Sequence, residues 1–85
     1  MTVTTPEWLK QHGGELRLGV DGRSASVYFA GQLQYVLVPV PARGRYACQI
    51  TETINGRRLD GEKTYVSPEE AYAGGLEELR ARLGW

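Results

Sequence analysis

Cys48 and His12 are the one cysteine and the one histidine of this chain. Within hydrogen-bond reach of each other they would form a nucleophile and its base. Their surroundings argue for quieter roles. Cys48 stands in the alternating run Tyr46-Ala47-Cys48-Gln49-Ile50, on the side of Tyr46 and Ile50, where a small buried hydrophobe is expected. His12 precedes Gly13-Gly14 at the expected end of a helix, where a cation meets the helix dipole favourably. One Cys and one His cannot complete a tetrahedral zinc site, and no Asp-rich loop has EF-hand spacing. Glu69-Glu70 and Glu77-Glu78 are adjacent carboxylates, but neighbours on a helix point apart, so they read as solvated charge. The residue types therefore predict no catalytic, cofactor or metal site, and a protein that is not an enzyme.

Ten Lys and Arg balance ten Asp and Glu, for a formal net charge of zero. That excludes the global attraction of a dedicated polyanion binder and leaves room only for a local basic stripe. The 41% of hydrophobic residues is enough for a packed core. A lone cysteine closes no intramolecular disulfide, so packing alone must hold the fold. No apolar run is long enough to span a membrane, and the start lacks the pattern of a signal peptide. One domain over residues 1–85, in the cytoplasm, is the expectation.

The elements follow from local signals. Thr5 can cap a short helix with Pro6 at its first position and Glu7 at the positive end of the dipole; Gly13-Gly14 stops it. Leu16, Leu18 and Val20 alternate with other types, and Asp21-Gly22 is a tight-turn pair. Strands are expected at 24–30 and 33–40, joined by a Gly31-Gln32 turn, with Pro39 and Pro41 ending the second. A strand over 45–54, the Asn55-Gly56 hairpin signal, and a strand over 57–66 interrupted at Gly61 come next. Ser67-Pro68-Glu69-Glu70 opens a helix whose Tyr72, Leu76, Leu79 and Leu83 form one apolar stripe, stopped by Gly84. Gly74-Gly75 inside that helix should cost about 1 kcal/mol each against Ala, offset by a close approach of helix to sheet. The expected fold is α+β: an antiparallel sheet of four to five strands, a short N-terminal helix, and a longer C-terminal amphipathic helix packed on the sheet.

Register arithmetic assigns the faces. A Gly31-Gln32 turn sets Tyr28 opposite Tyr35 and Ser26 opposite Leu37, so that Tyr28, Leu33, Tyr35 and Leu37 share one side. Val27, Phe29, Val36 and Val38 share the other. Both sides are apolar, and each needs a cover. The C-terminal helix is assigned to the Val27 side and the Trp8 helix to the Tyr28 side. The competing expectation makes Tyr28, Leu33, Tyr35 and Leu37 a partner surface, because tyrosine brings large contact area and a polar tip. Across Asn55-Gly56, Thr53 should face Arg58, Thr51 Asp60, and Gln49 Glu62, a polar face.

The run Arg45-Tyr46-Ala47-Cys48-Gln49-Ile50, then Asn55-Gly56-Arg57-Arg58, Tyr65 and Ser67-Pro68-Glu69-Glu70-Ala71 resembles AP2-type and integrase arm-type DNA-binding domains over residues 35–83. The resemblance implies a three-stranded sheet entering a DNA groove with a helix behind it. Arg43, Arg45, Arg57, Arg58 and Lys63 would then be the nucleic-acid surface. The chain departs from the pattern in carrying Glu52, Asp60 and Glu62 among these residues and no tryptophan in the strands. In general character it is also similar to short bacterial proteins. The function expected from the residues is a small non-catalytic interaction or adaptor module, with a homodimer as its simplest form. The alternative is nucleic-acid binding through the hairpin face around Arg43–Lys63.

Overall fold

A computed structural model describes residues 5–19, 22–59, 61 and 63–85. Helix α1 covers Glu7–Gln11. Strands β1 (Gly14–Leu18), β2 (Ala25–Phe29), β3 (Gln32–Ala42) and β4 (Arg45–Glu52) follow as antiparallel neighbours. Two short strands, β5 (Arg57–Arg58) and β6 (Thr64–Tyr65), pair in line with the outer edge of β4. Helix α2, Pro68–Leu83, packs across β3 and β4. The fold is α+β as expected, with six strands in one sheet.

Ser67 caps α2, its hydroxyl accepting from the Glu70 amide at 3.2 Å, and Gly84 closes the helix in the left-handed conformation. Thr5 does not cap α1. The cap position is Pro6, and Thr5 Oγ1 instead accepts from the Leu16 amide at 3.3 Å. That contact occupies a backbone donor on the outer strand of the sheet, a modest guard against edge pairing.

The central hairpin departs from the expected register. Ala30 and Gly31, at φ 53° and 78°, make the turn, so Phe29 lies opposite Gln32 and Tyr28 opposite Leu33. The pairing then shifts by one residue, and Val27 lies opposite Tyr35. Gln34 is the extra residue of a β-bulge. It is held by Thr53, whose amide donates to the Gln34 carbonyl at 2.9 Å and whose hydroxyl donates to the Leu33 carbonyl at 2.8 Å. One inserted residue sends every later side chain of β3 to the opposite face. Tyr35 and Leu37 therefore join Ala25, Val27, Cys48 and Ile50 in the core, while Val36 and Val38 leave it.

Pro39 and Pro41 do not end β3, which runs on to Ala42 paired with β4. The last β2 pair is Ala25 with Leu37, so the missing proline donors face the side where β2 has already ended. The β4–β5 connection takes residues 53–56, which sets Thr51 rather than Thr53 opposite Arg58. The expected partners Asp60 and Glu62, and the turn residue Asp21, lie outside the described residues.

Gly74 and Gly75 are where α2 meets the sheet. A methyl group at Gly75 would overlap Cys48 Sγ and lie 3.2 Å from Leu37 Cδ2, and one at Gly74 would overlap the Tyr65 ring. Tyr72 is fully buried, and its hydroxyl donates to the Gly22 carbonyl at 3.2 Å. Helix α1 packs beside α2 on this same face, not on the opposite one. Its Leu9 is fully buried against the Gly14–Phe29 end of the sheet. Trp85 stacks on His12, with centroids 3.8 Å apart and planes 5° apart, and meets Phe29 and Trp8 at an angle.

Candidate functional site

With both helices on one face, no described residue covers the other. The shortest dimension of the molecule is 20 Å, room for a sheet and one layer of helix at about 10 Å each. The open face is built by parity. From β3 it receives Val36, Val38 and Val40, each half-buried by its strand neighbours. Beside them lie Thr51 opposite Val36, Gln49 opposite Val38 and Ala47 opposite Val40. Tyr28 and Leu33 extend the apolar stripe at one end, and Leu33 is 39% exposed.

Charge is confined to the surround. Arg17 on β1 forms a bidentate pair with Glu15 at 3.0 and 3.1 Å and lies 4.7 Å above the Tyr28 ring. This hydrogen bond holds the Glu15 carboxyl below its ordinary pKa. Arg45 donates to the Thr64 hydroxyl and carbonyl. Strand β3 contains no charged residue. The middle of this face is thus uncharged and mostly apolar, and its charged residues lie toward the edges.

The expected partner surface is thus split. Tyr28 and Leu33 lie on the open face; Tyr35 and Leu37 are buried beneath α2. Val36, Val38 and Val40 take their place, and sequence reasoning missed them as surface residues because the bulge at Gln34 carries no Gly or Pro to announce it. The uninterrupted valine alternation in 36–40 is the signal that marks them as one face.

The basic residues fall into two groups. Arg43, at φ 52° in the β3–β4 turn, and Arg45 mark one end of β4. Arg57 and Arg58 pair with the other end, about 20 Å away at strand spacing. Lys63 precedes β6, whose Thr64 faces Ala47. Arg57 and Arg58 line a cleft of about 270 Å³ with Arg82, Tyr35 and Glu52, and Arg57 reaches the Glu52 carboxylate at 3.7 Å. Burial, then the Glu52 charge, raises the Tyr35 phenol above its ordinary pKa, while Arg57 opposes the shift. Arg82 enters this cleft from α2, which its position in the sequence did not suggest.

A second, mostly apolar groove of about 420 Å³ is lined by Gly22, Arg23, Val38, Pro39, Pro41, Tyr46 and Pro68, so that Val38 also borders this groove at the end of the sheet. It brings no nucleophile to a base. Cys48 is buried under Gly75, whereas His12 is stacked on Trp85. Among the described residues no three of His, Cys, Asp and Glu gather as metal ligands, and no helix is long and apolar enough to cross a membrane. Comparisons with protein-family models, curated proteins and solved structures find no match to this chain.

Proposed function

We propose that the chain is a small non-catalytic interaction module that docks a protein partner on the open face of its sheet. One observation carries this reading: the middle strand turns Val36, Val38 and Val40 to a side that neither helix covers. A contiguous apolar stripe on a soluble domain marks an interaction site more often than idle surface. Val38 sits near its centre, where binding energy concentrates.

The test is site-specific photo-crosslinking in native cells. A photo-reactive side chain at Val38 is expected to give a discrete adduct that Val36→Lys abolishes. The same group at Glu77, on the outer side of α2, is expected to give none. Equal labelling at the two sites, or none at Val38, would end the proposal.

Nucleic-acid binding is the second reading. It is supported by Arg45 and Arg58 lying on the open side of the sheet by register. Their separation along β4 and the aliphatic stripe between them weigh against a continuous phosphate-binding track. It expects salt-dependent binding to duplex DNA whose salt slope falls in Arg45→Ala and Arg58→Ala. No binding at low salt removes it.

A further inference from the structure

We propose that the cleft between β5 and the last turn of α2 binds a dianionic phosphate, free or as the monoester of a small molecule, through Arg57, Arg82 and the Tyr35 hydroxyl. The cleft lies on the helix side of the sheet and does not depend on the open face. Tyr35 comes from β3, Glu52 and Arg57 from a cross-strand pair of β4 and β5, and Arg82 from α2. The Tyr35 hydroxyl is the first argument. Tyr35 is only 9% exposed, its ring edge-on to Phe29, yet its hydroxyl makes no hydrogen bond to a described residue. Among the described residues no fully buried side-chain oxygen lacks a partner, so this one is reached by solvent, and Tyr35 lines the cleft. An unspent O–H donor in such a place calls for an acceptor. Arg82 is the second. It makes no hydrogen bond or ion pair with a described residue, Glu78 one turn earlier included, so its donors are also unspent. Arg57 is the third. It meets Glu52 at 3.7 Å, beyond the about 2.7–2.9 Å of a direct charge-assisted hydrogen bond, so the pair steers the guanidinium without consuming its donors. Charge sets the ligand. Arg57, Arg58 and Arg82 border the cleft against one carboxylate, Glu52, and a dianion balances that excess. The excess also outweighs the partial negative charge at the C-terminal end of α2. The volume of about 270 Å³ lies just under the about 300–1,000 Å³ of small-molecule sites. It suits one phosphate and the first atoms of its carrier, against the apolar wall of Leu59 and Leu83.

Nitrogen-15 NMR titration of the full 85-residue chain tests this, read at the guanidinium Nε–H signals of Arg57 and Arg82. The probes are inorganic phosphate and phenyl phosphate at about pH 8, where the phosphate group is a dianion, with chloride at matched ionic strength as the blank. Both are expected to saturate the two signals. Tighter binding of phenyl phosphate identifies a monoester as the ligand; equal or tighter binding of inorganic phosphate identifies the free ion. Arg82→Gln, on the exposed side of α2, and Tyr35→Phe, which keeps the core ring, are each expected to weaken phosphate binding roughly tenfold, the loss of one hydrogen bond to a charged group. Arg43→Gln, at the far end of β4, should leave it unchanged. The proposal is overturned by signals that phosphate moves no further than chloride does, by acetate binding as tightly as phosphate, or by full affinity in either folded variant.

Discussion

A methyl group at Gly75 has nowhere to go but into Cys48 Sγ, with Leu37 3.2 Å away. Alanine favours helix over glycine by about 1 kcal/mol, whereas overpacking a core costs about 1–3 kcal/mol. Gly75→Ala should therefore be destabilising by up to about 2 kcal/mol in urea unfolding. Cys48→Ala should recover part of the loss, because it removes the atom in conflict, and a double-mutant cycle would measure that coupling. The tyrosines supply the pH dependence. Burial first, then Glu52, raises the Tyr35 phenol; burial first, then Glu78 and Cys48, raises that of Tyr65. Both hold their protons more tightly folded than unfolded. Their contribution is complete below the ordinary phenol value of about 10 and is lost as pH rises through the higher folded values. Thermal melts should fall with pH in that alkaline window, less steeply in the Tyr35→Phe, Tyr65→Phe double variant.

Among the elements, the β2–β3 hairpin decides which side chains meet water. Deleting Gln34 leaves the Ala30-Gly31 turn and every other β2–β3 pair in place and converts a bulged ladder to a regular one. The deletion variant should fold within about 1 kcal/mol of the parent, and loss of cooperative unfolding would show that the bulge is required. Helix α1 has only five residues, too few to persist unaided. Its ring contacts with Trp85 hold it, so Trp85→Ala should raise amide exchange at Leu9 and Lys10 while leaving α2 protected. Elements with strong local chemistry were legible in the sequence. The Ser67 cap, the Tyr72-Leu76-Leu79 stripe, the Gly84 stop and the Gly74-Gly75 approach all stand where their residue types placed them. The face assignment of β3 was not legible. Ala30-Gly31 and Gly31-Gln32 are both acceptable turns, and the choice between them, with the bulge, is made by burying Tyr35 and Leu37, a tertiary effect. The faces divided the same way: Tyr28 and Leu33, expected beneath the Trp8 helix, lie on the uncovered side, and Val36 and Val38, expected beneath the C-terminal helix, lie there with them.

Taken whole, the molecule is two layers deep, and the side of its sheet opposite the helices is uncovered by any described residue. The layer interface contains a built-in chronometer. Cys48, the one thiol of the chain, lies between helix and sheet at 3% exposure. A thiol reagent can reach it only while α2 is lifted from β4, so the labelling half-time under native conditions reports how often the layers part.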